Sequence, residues 1–109
     1  MSNNLHTPTS LEELDTIFTN NSSNSIIVDC FAQWCAPCKI IAPIFQKLSL
    51  EYPNVVFIKV DVETFPTFAA EHSIRNIPTM LVFKQGKYTS RQTGFTSEQK
   101  LHDFIDINS

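Results

Sequence analysis

The chain has 109 residues, 42% of them hydrophobic and 17% charged, with a formal net charge of −3, which suits one packed domain spanning 1–109 rather than two. The weak negative charge comes without a basic run or a block of like charge, so nucleic acid is not an expected partner. The opening MSNNLHTPTS lacks a positive start and an apolar stretch, and no later run approaches a membrane span, so a cytoplasmic protein that engages no membrane is expected.

After a polar start with a short strand near Leu5, SLEELDTIFTN predicts a helix capped by Ser10, with Glu13 completing a capping box and Leu11, Leu14, Ile17 and Phe18 forming its apolar face. NNSSNS reads as a surface loop. SIIVDCFA, residues 25–32, is nearly continuous in apolar residues, as a central strand covered on both faces should be, with Asp29 as its exception. From about Cys35 to Tyr52 the spacing of Ile40, Ile41, Ile44, Phe45 and Leu48 is helical. Pro43 removes one hydrogen bond inside that helix, and Pro53 and Asn54 end it. VVFIKVDV, residues 55–62, is a second strand, and the helix between the two predicts a parallel βαβ unit. FPTFAAEHSI predicts a short helix from Pro66. TMLVFK and KYTSRQTG read as a hairpin turning at Gln85 and Gly86. A last helix starts at Thr96 or Ser97 and carries Leu101, Phe104 and Ile105. The order α, β, α, β, α, β, β, α predicts an α/β fold, a central mixed sheet with helices on both faces.

Three cysteines are an odd number and too few for a disulfide scaffold. Two of them, Cys35 and Cys38 in WCAPCK, admit three readings. As a staple, a bond between them closes so short a loop that it hardly restricts the unfolded chain. One helical turn apart, their Cβ atoms start roughly 5–6 Å from each other, where a relaxed disulfide wants about 3.8 Å. As a metal clamp, Cys30, Cys35 and Cys38 spell C-x4-C-x2-C, but a fourth cysteine is missing and His6, His72 and His102 have no ligand-like spacing. As a reactive centre, the pair sits where a buried strand gives way to a helix. There unpaired N–H groups and the positive end of the helix dipole stabilise a thiolate at Cys35, the species that attacks disulfides. Pro37 suits the first helical turn, where its missing N–H costs nothing.

VDCFAQWCAPCK resembles the active-site strand and helix of the thioredoxin family, whose usual motif is W-C-G-P-C-K. The similarity continues through FIKVDVE, IRNIPTMLVFKQGK and QTGFTSEQKL in the family's order and spacing, so it covers nearly the whole chain. The resemblance implies a thioredoxin fold and a protein-disulfide reductase. Cys35 would be the exposed nucleophile, and Cys38 the more buried thiol that resolves the mixed disulfide. Asp29 would help deprotonate Cys38, with Lys59 nearby. Pro78 would be a cis-proline facing the cysteines that leaves the Ile77 backbone able to pair with an extended substrate segment. Trp34, Ala36, Pro37, Ile77, Pro78 and Gly94 would line the surface where that segment docks. The implied partners are disulfide-containing proteins and a thioredoxin reductase drawing on NADPH, so this chain itself would bind no cofactor and no metal, and would act as a monomer.

The residues themselves weigh on those expectations. A carboxylate flanked by apolar residues, as Asp29 is, should have a raised pKa and suit a proton acceptor; the alternative is a solvated place at the sheet margin. Ala36 replaces the family's glycine and adds a methyl where a substrate backbone would pass. Phe31 stands where many relatives carry tryptophan or a small residue. Cys30 reads as buried and inert, Lys39 as a solvated helix residue and the three histidines as surface residues. A disulfide oxidase or isomerase would carry histidine in place of Pro37. A metal-holding carrier and a non-catalytic binding module are the remaining alternatives.

Overall fold

In the computed structural model, which describes residues 4–95 and 97–109, five strands form one mixed sheet in the order β1-β3-β2-β4-β5. The elements are β1 (Leu5–His6), α1 (Leu11–Asn20), β2 (Ser25–Phe31), α2 (Ala36–Glu51), β3 (Val56–Asp61), α3 (Pro66–Glu71), β4 (Thr79–Lys84), β5 (Lys87–Thr93) and α4 (Glu98–Asn108). β2 pairs in parallel with β3 and antiparallel with β4, so both of its edges are hydrogen-bonded. That accounts for the near-continuous apolar run read from its sequence.

Strand alternation splits the core into two layers. Ile26, Val28 and Cys30 of β2, with Ile58, Val60, Leu81 and Phe83, pack against Leu14 and Ile17 of α1 and Phe68 of α3. Ile27, Phe57, Met80 and Val82 face the other way, onto Ile41, Phe45 and Leu48 of α2 and Leu101 and Ile105 of α4. Asp29, two residues beyond Ile27, therefore lies on the α2 side and Cys30 on the α1 side.

Two predicted apolar faces need correction. Leu11 is 53% exposed and Ile40 57% exposed. Leu11 lies at the edge of the stripe that Leu14 and Ile17 bury, whereas Ile40, one residue or about 100° round α2 from Ile41, faces away from the buried line of Cys38, Ile41 and Phe45. Ser10 caps α1 as expected, its Oγ accepting the Glu13 N–H at 3.1 Å. The reciprocal bond of the capping box lands one residue earlier, where the N–H and hydroxyl of Thr9 both donate to Glu13 Oε2. Two donors on one oxygen displace the single Ser10 N–H.

At the hairpin, Gln85 and Gly86 have φ of 53° and 77°, the two positive values that a two-residue turn matching the strand twist requires. Ser97 caps α4 by accepting the Lys100 N–H at 3.1 Å; Thr96, the other expected start, lies outside the described residues. The amide of Asn4 donates to the carbonyls of Ser49, Tyr52 and Val55, which meets acceptors left over at the end of α2 and ties β1 to the entrance of β3. The histidines are half-buried rather than on the open surface. His72 stacks 4.5 Å from Phe68 and edge-on to Phe83, and burial there pushes its pKa down.

Phe57 is fully buried and packs edge-to-face on Phe45 with ring centroids 5.1 Å apart. Phe57→Ala is expected to lower stability by about 3–5 kcal/mol, and Leu11→Ala by no more than about 0.5 kcal/mol. Urea unfolding with unchanged slope checks both.

Candidate active site

β2 ends at Phe31, and the chain turns through Ala32, Gln33 and Trp34 before α2 begins at Ala36. Cys35 is the N-cap of α2, with φ −83° and ψ 111°, and its Sγ accepts the Cys38 N–H at 3.3 Å. The Cys35 N–H donates back to Ala32 at 3.2 Å, and Lys39 closes the first turn onto the Cys35 carbonyl at 3.3 Å. Pro37 stands in this turn with no N–H to satisfy. The Cys35 sulfur thus occupies the place where a serine or aspartate oxygen caps other helices.

Cys35 and Cys38 are joined by a disulfide, with Cα atoms 5.3 Å apart. Together with Ala32 they form a small buried cluster against Phe31, Val62 and Ile77. The expected difference in exposure within the pair is absent: Cys35 is 3% exposed and Cys38 4%. Once bonded, each sulfur shields the other, and the flanking side chains cover both. What projects at this end is Trp34, 67% exposed, with Ala36 and Pro37 exposed beside it.

Asp29 is fully buried, so a solvated place at the sheet margin is ruled out. Among the described residues neither of its carboxylate oxygens has a hydrogen-bond partner. Burial pushes its pKa from the ordinary 3.8 up to about 7, with the Lys59 charge pulling it back. Lys59 is its register partner across the parallel β2–β3 pair and carries its Nζ 4.8 Å above the Phe31 ring. Cys38 and Ile41 are buried one helical turn apart on the inner face of α2. Ile41 rests on the sheet face that carries Ile27 and Asp29, so Asp29 lies beneath the first turn of α2, on the side toward which Cys38 is turned.

The third cysteine does not join the pair. Cys30 belongs to the α1 side of the sheet, and burial, then the Asp29 charge, pushes its thiol far up. Among the described residues no group of three or more His, Cys, Asp or Glu side chains is arranged to hold a metal ion. The C-x4-C-x2-C spacing therefore straddles a sheet instead of converging on a site.

The Ile77–Pro78 peptide is cis. Pro78 is buried at the entrance of β4, and Ile77 packs on the cysteine cluster. The Gly94 N–H donates to the Pro78 carbonyl at 2.8 Å, and Gly94 has φ of 82°, a conformation that favours glycine. The 77–78 and 94 segments are thus joined at the end of the sheet where α2 begins. Two residues that sequence reading passed over also stand here: Trp34 Nε1 donates to Glu63 Oε2 at 3.2 Å, and Val62 packs on the pair. The signal for them was the parallel pairing itself, since residues just beyond two adjacent parallel strands share one rim.

The thioredoxin family profile matches residues 7–107. The chain is 43% identical over 89 residues to the thioredoxin of Buchnera aphidicola, covering 81% of this chain and 82% of that one. It is 44% identical, over the same shares, to thioredoxin C-2 of Corynebacterium nephridii. Its fold superposes on the crystal structure of Fasciola hepatica thioredoxin with a TM-score of 0.87 at 36% identity, covering 95% of this chain and 99% of that one. With a C-x-x-C pair capping the helix that follows its central strand, the chain belongs to the thioredoxin family of thiol–disulfide oxidoreductases.

Proposed function

We propose that this chain reduces disulfides of other proteins, with Cys35 as the attacking sulfur and Cys38 as the resolving one. The observation that carries the reading is the Cys38 N–H donated to Cys35 Sγ at the N-cap of α2. In the reduced protein that donor and the positive helix end stabilise a thiolate at Cys35 at neutral pH. The thiolate attacks one substrate sulfur and forms a mixed disulfide, and the other substrate sulfur leaves as a thiolate and takes up a proton. Cys38 then loses its proton and attacks Cys35 Sγ, expelling the second substrate sulfur. Two electrons pass to the substrate, and the chain is left with the Cys35–Cys38 bond.

Asp29 is the proposed acceptor of the Cys38 proton. A carboxylate with a pKa of about 7 takes a proton at neutral pH far more readily than one near 4. Lys59 beside it favours the ionised form and limits that rise. Docking falls to Trp34, Ala36, Pro37, Ile77, Pro78 and Gly94, with an extended substrate segment pairing along the Ile77 backbone. A thioredoxin reductase drawing on NADPH would return two electrons to the disulfide, so the chain needs no bound cofactor. The same reading places the protein in the cytoplasm, since a dithiol works as a reductant where its surroundings keep it reduced. The single five-stranded sheet supports one domain over 1–109, and a monomer suffices because one chain supplies both cysteines.

Insulin reduction coupled to NADPH and a thioredoxin reductase tests the proposal. Cys35→Ser should abolish turnover, and Cys38→Ser should accumulate mixed disulfides with targets, visible as adducts on non-reducing gels. Normal turnover by Cys38→Ser would refute the two-cysteine scheme.

Asp29 also sets a pH dependence with a definite sign. Its folded pKa lies above the ordinary 3.8, so its contribution to stability is full below that value and is lost as pH rises through about 7. Asp29→Asn should therefore gain stability over the wild type across that window, by up to roughly 4 kcal/mol, measured by urea unfolding of the oxidised proteins. The same variant should slow the resolving step above pH 7 and flatten its pH profile.

A further inference from the structure

The rim beside the cysteine pair contains charge that the exchange chemistry leaves unused. Trp34 Nε1 donates to Glu63 Oε2 at 3.2 Å. The Glu63 N–H donates to Asp61 Oδ1 at 2.9 Å, and Asp61 Oδ2 accepts from Gln33 Nε2 at 3.4 Å. The segment after β2 and the segment after β3 are thereby laced together around the indole. Val62, between the two acids, rests on the Cys35–Cys38 cluster, so both carboxylates belong to the edge of the site. One indole N–H does not neutralise a carboxylate, and Glu63 is exposed. Neither 28–38 nor 60–74 contains a lysine or arginine. Of the cations nearest in sequence, Lys59 is turned onto the Phe31 ring and Lys39 lies beyond the pair on α2. The exposed Arg75 belongs to the separate segment that leads into Ile77 and Pro78, with no bond to Glu63 or Asp61 among the described residues.

We propose that Glu63 is a specificity-determining residue: it fixes the exposed Trp34 ring beside Cys35 and, with Asp61, biases the site toward disulfides flanked by lysine or arginine. A basic side chain crossing this rim meets the negative face of the indole and a carboxylate at the ring's N–H edge, and both attract it. An acidic side chain meets repulsion from both. The inference rests on the exchange reading above and adds to it a charge class of substrate.

The test uses fully reduced protein in single turnovers, which removes any dependence on a reductase, with two disulfide peptides that differ only in lysine or glutamate beside the cysteine. Wild type should favour the lysine peptide roughly fivefold at low ionic strength, with the preference shrinking as salt is added. Glu63→Gln keeps an acceptor for the indole and removes the charge. It should cut the preference to about twofold, the share left to Asp61, with the fluorescence anisotropy of Trp34, the single tryptophan, unchanged. Glu63→Ala should cut the preference equally and also lower the anisotropy as the ring is released. A purely structural role for Glu63 would slow both peptides alike and leave their ratio unchanged. That result, or a wild-type preference retained by Glu63→Gln, overturns the proposal. If wild type reduces neither peptide, the exchange reading falls and takes this one with it.

Discussion

Strand β2 is hydrogen-bonded along both edges and covered on both faces, and the rest of the site depends on that constraint. A strand so enclosed has no freedom to shift in register, because a slip of one residue would exchange its two buried faces. The first turn of α2 is consequently held at a fixed height above the end of the sheet. Cys35 reaches the N-cap position through this anchoring, with only three residues between the last strand residue and its sulfur. The short connection leaves Cys35 as the side chain that caps the helix, so the chemistry of the sulfur is set by backbone geometry.

The same enclosure makes Asp29 expensive. A carboxylate with no partner among the described residues, buried in the central strand, opposes folding whenever it is ionised. Lys59 offsets this only in part, since its ammonium is also drawn to the Phe31 ring. Stability and the proposed proton transfer therefore pull in opposite directions at one residue. Cys30 shows the contrast. Next in sequence but on the other face, it is surrounded by Ile, Val and Phe side chains, and its thiol is held protonated by burial and by the neighbouring acid.

Around the pair, the sheet collects short pieces from distant parts of the chain. The segment after β2 brings Trp34, the segment after β3 brings Val62 and Glu63, the approach to β4 brings Ile77 and Pro78, and the exit of β5 brings Gly94. A hydrogen bond from Gly94 to Pro78 and another from Trp34 to Glu63 join these pieces two by two. Such a rim is more rigid than a loop of the same length, because each segment is clamped at a strand end. Rigidity suits a surface that must accept an extended chain without rearranging.

Much of this was legible in the sequence. Local patterns determined the elements: the apolar run of β2, the helical spacing after Cys35, the Gln85-Gly86 turn and the Ser10 and Ser97 caps all depend on residues within a few positions of one another. The C-x-x-C pair at a strand-to-helix junction, and Asp29 as an acid inside an apolar run, could be read for the same reason. Tertiary packing decided the rest. Which apolar residues of a helix are covered and which are left out, as Leu11 and Ile40 are, depends on where the neighbouring layer lies. The near-equal burial of Cys35 and Cys38 depends on Val62 and Ile77 arriving from elsewhere. The tether between Trp34 and Glu63 exists because two parallel strands end side by side, and contacts between residues 29 positions apart carry no local signature.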